Sequence, residues 1–174
     1  RTVLFVSHNM ASVKALCNRG IVLEKGNVVY DGTSENAVTR YIGSSVAKVS
    51  KEAVWEDVAL SPGNDHIRLK RICAEPLKGD IISVDSGISL TVDFWNYKTD
   101  TKIGFNVQII TKEDIIVFQT SKVVSPDFDS KVGVYTVTMN IPPFLLNSNI
   151  YKVKLFFGER GVVICDLDED LFAF

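Results

Sequence analysis

A chain of 174 residues has room for one ordinary domain, or for a small domain plus a fragment of another. Its 46% hydrophobic and 23% charged residues are the balance of a soluble globular protein, and 19 basic against 21 acidic residues leave no basic excess for a nucleic-acid partner. No apolar run is long enough to predict a spanning helix, and no secretory signal is visible in a chain that opens at Arg1, as a cut piece would.

Residues 2–7, TVLFVS, are a continuous apolar and β-branched run, the pattern of a strand buried on both faces. NMASVKALC follows, with Asn9 placed to cap a helix and Met10, Val13, Leu16 and Cys17 on one stripe. GIVLEKGNVVYDG then reads as a hairpin around KGN, where Gly26 supplies the positive φ of a tight turn. TSENAVTRYI predicts a second helix, capped by Thr33 or Ser34, with Ala37, Val38, Tyr41 and Ile42 on its apolar face. Residues 44–54, SSVAKVSKEAV, are small and polar with weak periodicity: a linker, with room for a helical turn.

From residue 55 the apolar period becomes two, and turn signals recur every 8 to 15 residues. Strands are predicted over 67–75, 88–97, 103–111, 115–120, 134–141, 150–157 and 162–166, with 171–174 as a candidate eighth. No amphipathic helix interrupts them, so the class is mainly β. The expected architecture is an antiparallel β-sandwich, immunoglobulin-like or jelly-roll-like, over 55–174, preceded by a short α/β segment over 1–43. Alternation assigns Ile88, Leu90, Val92 and Phe94 to the core, with Ile103, Phe105, Val107 and Ile109, and Tyr151, Val153, Leu155 and Phe157. The opposite face then carries Ser89, Thr91, Asp93, Trp95 and Tyr97, then Gly104, Asn106, Gln108 and Ile110, then Lys152, Lys154 and Phe156.

Cys17, Cys73 and Cys165 are odd in number and far apart, each in an apolar context, which fits small buried side chains and a reducing compartment. His66, in SPGNDHIRL, has no second His or Cys beside it and reads as a turn residue. Trp55 is expected to pin the linker to the sandwich. Asp166, Asp168, Glu169 and Asp170 invite a calcium reading but lack EF-hand spacing; the alternative is carboxylates that keep an edge strand from pairing with other sheets, and no metal is expected.

The string TVLFVSHNMASVKALCNRGIVLEKGNVVYDGTSENAVTRYI, residues 2–42, resembles the last segment of an ABC-transporter ATPase. It is most similar to the ATP-binding subunits of bacterial polysaccharide exporters, the Wzt-type O-antigen exporters and their teichoic-acid relatives. The resemblance implies that residues 1–43 are a C-terminal remnant of the ATPase domain, 44–54 a linker and 55–174 a carbohydrate-binding sandwich. It puts His8 in the place of the switch histidine that meets the γ-phosphate. ATP and Mg²⁺ would then belong to the full-length protein only, because this chain has no GxxxxGK[ST] loop, Walker-B strand or ABC signature. The chain alone is not expected to be an enzyme or to hold a cofactor. TVLFVS, without its neighbouring strands, is expected to pack on the sandwich, to change conformation or to pair with a second copy, giving a homodimer with or without strand exchange.

The same resemblance implies a cytoplasmic protein, peripheral to the inner membrane through a transmembrane permease subunit, that binds a polysaccharide by its modified non-reducing end. Sugar hydroxyls need amide and carboxylate partners, and sugar C–H faces stack on aromatic rings. If the three alternating strands share a sheet, Trp95, Asp93, Asn106, Gln108, Tyr97 and Lys154 form such a surface. Each also has a plainer reading: Trp95 as a ring covering an edge or a dimer contact, the others as solvated strand residues. The alternative role is structural or regulatory: a sandwich that dimerises the ATPases without touching sugar.

Overall fold

The computed structural model describes residues 3–7, 10–24, 26–45, 49–159, 162–167 and 171–174. The first unit runs α1 (Met10–Leu16), β1 (Arg19–Glu24), β2 (Asn27–Thr33) and α2 (Ser34–Ser45), the order the sequence predicts. β1 and β2 pair antiparallel, and Gly26 takes φ 82° at the turn. Thr33 caps α2, its Oγ1 accepting from the Asn36 amide at 3.4 Å. Ala37 and Val38 are buried, and the helix lies so close to the hairpin that a Cβ on Gly20 would collide with that of Ala37. The predicted stripes are only partly covered: Met10 is buried, but Leu16 is 71% exposed and Tyr41 lies at the surface. Residues 3–7 form no strand, contrary to the reading of TVLFVS, and Val3, Leu4 and Val6 stand in solvent. A strand needs a hydrogen-bonding neighbour, and none of the described strands lies beside this run. His8 and Asn9 lie outside the described residues.

The rest is a sandwich of two four-stranded antiparallel sheets. β3 (Glu52–Val54), β4 (Ile67–Pro76), β5 (Ile88–Asn96) and β8 (Gly133–Ile141) make one, in the order β3-β4-β5-β8. β6 (Gly104–Thr111), β7 (Ile116–Val123), β9 (Tyr151–Glu159) and β10 (Val162–Asp166) make the other, in the order β10-β9-β6-β7. All seven predicted strands are present, and β7 runs on to Val123 past its expected end at residue 120. Residues 171–174, the candidate eighth strand, make two isolated bridges through Ala173, to Val49 and to Lys152, and they extend the β10 edge: Phe172 O accepts from Val153 N, while Tyr151 and Phe174 exchange both backbone bonds. Residues 49–54, expected as linker, join both sheets. The Ser50 amide donates to Ala173 O at 3.0 Å, Lys51 O accepts from Ala74 N at 2.9 Å, and β3 continues along β4. One long side of the sandwich is closed by this crossing.

The alternation of the sequence holds in the core. Leu90, Val92 and Phe94 of one sheet face Phe105, Val107, Ile109, Val153, Leu155 and Phe157 of the other, all at most 2% exposed. At the centre Phe157 meets Phe94 edge-on at 4.7 Å and Phe105 at 5.4 Å, and Phe94 stacks on Tyr135 at 5.7 Å. Trp55 packs on this core, as expected, and its amide donates to Lys70 O. Ile110 departs from expectation: it lies outside the inter-sheet cluster yet is buried. The row it shares with Lys152 and Ala173 is covered on the outer face, where Asp114 of the β6–β7 turn closes on the Lys152 ammonium.

Phe94→Ala removes the ring that joins both sheets. It should destabilise the fold by about 3–5 kcal/mol, read as a lowered urea midpoint with an unchanged slope; a loss under about 1 kcal/mol would place the core elsewhere.

Candidate functional site

The condition under which the six candidates form one surface is not met. β5 belongs to one sheet, β6 and β9 to the other. Asp93 and Trp95 therefore point away from one side of the sandwich, and Asn106, Gln108 and Lys154 from the opposite side. Tyr97 sits just past β5, its amide bound to His66 O.

On the β5 side the polar groups are already engaged. Asp93 accepts from Thr136 Oγ1 at 2.6 Å and from Arg71 Nη1 at 3.5 Å, and Arg71 is shared with Glu52. Thr91 and Thr138 bond across the strands at 3.2 Å. The Lys70 ammonium stands 5.6 Å from the centre of the half-buried Trp95 ring, a cation–π contact that occupies a ring face a sugar would need. Lys70 reaches it because the β4 register shifts between Leu69 and Arg71.

The β6–β9 side differs. Gly104 and Gly158 are directly paired across the two central strands, and the next pair is Asn106 with Phe156. With no side chain on the first pair, the sheet surface sinks into a hollow of about 550 Å³. Lys102, Gly104, Asn106, Ser121, Lys122, Val123, Phe156, Gly158, Val162 and Val163 line it. A Cβ on Gly104 would stand 3.3 Å from Gly158 O, inside the space the hollow offers. Asn106 donates one amide hydrogen to Phe156 O at 3.3 Å, which holds the amide flat on the wall. Gln108 lies one pair further along, bound to Gln119 at 2.9 Å, beside Lys154, whose ammonium is 3.6 Å from Asp166. Of the six candidates, then, Asn106 lines the hollow and Gln108 and Lys154 border it on the same face. Phe156 and the glycine pair are the features the reading of side-chain types passed over. Their signal was in the sequence: a glycine in each of two strands, next to an outward aromatic.

A second concavity, of about 390 Å³, is lined by residues 49–51, 81–84 and 146–149 together with Tyr151 and Phe174.

Among the described residues no three His, Cys, Asp or Glu side chains cluster as metal ligands. Asp168, Glu169 and Asp170 lie outside the described residues, and Asp166 is exposed on β10. His66 sits in the turn before β4, as expected, with its amide on Asn64 Oδ1 at 2.9 Å.

No family model and no curated protein matches the chain. Among solved structures, the crystal structure of the C-terminal domain of Wzt superposes with a TM-score of 0.53 at 11% identity, covering 74% of this chain and 80% of that one. The fold is that of a Wzt C-terminal domain. A β-glucuronidase from glycoside hydrolase family 2 reaches a TM-score of only 0.37 at 20% identity, over 58% of this chain and 10% of that one, too slight a likeness to bear on the fold. No described helix is long and apolar enough to cross a membrane.

Cys73 and Cys165 are buried in the sandwich and Cys17 is half-buried in the first unit. All three are free thiols. Cys73 and Cys165 are buried, and burial, assisted by Glu75 and Asp166 respectively, holds both thiols above their ordinary range. Iodoacetamide at pH 8 should therefore modify half-buried Cys17 first and spare Cys73 and Cys165 until urea unfolds the chain; equal rates at all three in the native state would contradict their burial.

Proposed function

We propose that this chain recognises a polysaccharide without transforming it, in the service of polysaccharide export, and that the hollow on the β6–β9 face is where the sugar sits. The observation that carries the reading is the pairing of a side-chain-free floor, Gly104 and Gly158, with an aromatic wall at Phe156 and polar groups at Asn106 and Ser121. A sugar ring laid on Phe156 presents its C–H face to the aromatic and its hydroxyls to the amide. The glycine floor lets the ring approach the backbone. The likeness to the C-terminal domain of Wzt gives this reading its export context.

A shallow site of this kind binds weakly, at about −4 to −8 kcal/mol, or millimolar to micromolar. Within this reading the first unit is the tail of an ABC ATPase and His8 its former switch residue. The partners are then a transmembrane permease and a second copy of the chain, at the cytoplasmic side of the inner membrane. Two copies would raise the effective affinity for a long chain.

The alternative role, a dimerising or regulatory sandwich with no sugar contact, is separated by one experiment. The 174-residue chain is titrated with a panel of export polysaccharides and followed by amide chemical shifts. Phe156→Ala should weaken binding at least tenfold with an unchanged unfolding midpoint, because Phe156 stands outside the inter-sheet core. Trp95→Ala should leave binding within about twofold. Loss with Trp95→Ala but not with Phe156→Ala would move the site to the β5 face, and a folded chain that binds no glycan would establish the alternative.

A further inference from the structure

The four edges of the two sheets are not protected alike. An edge strand turns every second N–H and C=O away from its neighbour, and proteins guard such rows with short strands, bulges, prolines or inward-pointing charges. β3 is three residues long. β10 has a register shift between Val163 and Cys165 and ends on Asp166. β7 pairs across the shift between Ile109 and Ile110, and its Lys122 stands opposite core-facing Phe105, which puts a charge on the inner row of that edge. β8 has none of these. Its nine residues, GVYTVTMNI, contain no charge and no proline, and they pair with β5 without a shift. On the far side of β8 no described strand pairs with it, and no backbone bond from another described segment reaches it.

The strand is also its own complement. Set antiparallel to a second copy with Val137 opposite Val137, it pairs along its whole length: Thr136 meets Thr138, Tyr135 meets Met139, Val134 meets Asn140 and Gly133 meets Ile141. No charge is opposed to another. Val134, Thr136 and Thr138 are exposed on the outer row, while Tyr135 and Met139 are partly buried on the core row, where a sulfur beside a ring is a favourable contact. The same side of the sandwich is open. A cleft of about 220 Å³ lies between β8 and β7, lined by Val137 and Met139 of one, Thr120 and Lys122 of the other, and the core residues Phe105 and Val107. The opposite long side is the one closed by the crossing of residues 49–54.

We propose that β8 is the contact between two copies of this chain, edge to edge and antiparallel about Val137, so that two four-stranded sheets join into one of eight. Opposed residues of an antiparallel pair point to the same face, so the twofold axis stands perpendicular to the joined sheet. Both sandwiches then keep the same face outward, and the two hollows open on one side of the dimer. This rests on the reading above for its second copy and for the use of the hollows, and adds where the copies meet and how the two sites are oriented. Each chain keeps its own strands, which separates this contact from a dimer made by strand exchange. A long glycan that reaches both hollows meets the second at an effective concentration set by their fixed spacing.

The test uses the whole chain, with Cys17→Ser as background so that the only native thiols left are the buried ones. Sedimentation equilibrium should show monomer and dimer with a dissociation constant at or below about 100 µM. Val134→Lys with Thr138→Lys gives the edge the charge it lacks and should weaken the dimer at least tenfold, while circular dichroism of the dilute chain stays that of the parent. The register is read by oxidation: chains carrying Thr136→Cys and chains carrying Thr138→Cys should crosslink when mixed, and neither with itself. Crosslinking of either chain with itself overturns the register centred on Val137. A dimer that survives the two lysines and gives no crosslink overturns the β8 contact and leaves the second copy standing. A chain that stays monomeric at millimolar concentration overturns this proposal, while titration of that monomer with glycan still decides the hollow.

Discussion

The contact of Phe94, Phe105 and Phe157 across the sandwich is the constraint from which the rest of the structure follows. The three rings come from β5, β6 and β9, the middle strands of their sheets, and they meet edge-on or stacked within 6.5 Å. Once they face inward, strand geometry leaves no choice for their neighbours, because side chains alternate. Asp93 and Trp95 must leave on one side, and Gly104, Asn106, Phe156 and Gly158 on the other. A slip of one residue in either sheet would exchange core for surface along the whole strand, so the large buried rings fix the register as well as the fold.

The two outer faces then differ in how far their polar groups are satisfied. On the β5 face Arg71, Glu52, Asp93 and Thr136 answer one another, Thr91 answers Thr138, and Lys70 covers Trp95. A ligand arriving there has to break such pairs before it can make its own, and the net gain is small. The β6–β9 face has a depression floored by Gly104 and Gly158 with an aromatic wall at Phe156. Composition alone ranks the first face higher, since it holds the Trp and the Asp. Satisfaction of the groups ranks the second.

Much of the fold was legible in the sequence, and the reasons are local. Alternation placed the core residues of β5, β6 and β9, and glycine and helix-cap chemistry placed the Gly26 turn and the start of α2 at Thr33. What was not legible was pairing. Which strands become neighbours depends on long-range contacts that no period encodes, so residues of β5 and β6 that look alike on paper end on opposite sides of the molecule. The same limit applies to TVLFVS, whose apolar run predicts a strand only where another strand is present to complete it. Ile110 was misplaced for a third reason: a turn that folds over a sheet face buries residues that alternation assigns to solvent.

The covered row explains how position is carried through the domain. β9 runs from Tyr151, bonded to the closing tail, to Gly158 in the floor of the hollow. The tail in turn accepts from Ser50, so the segment that enters the sandwich and the hollow are connected along one strand, about 25 Å of continuous hydrogen-bonded backbone. Lys152, pinned by Asp114, sits near the start of that strand, and the glycine pair sits near its end. A strand built into the middle of a packed sheet has a single arrangement. Transmission of a binding event as a switch needs an element with two, and the β9 route offers none. What such a strand conveys is location: a molecule seated in the hollow is held at a fixed place relative to residue 50 and whatever precedes it.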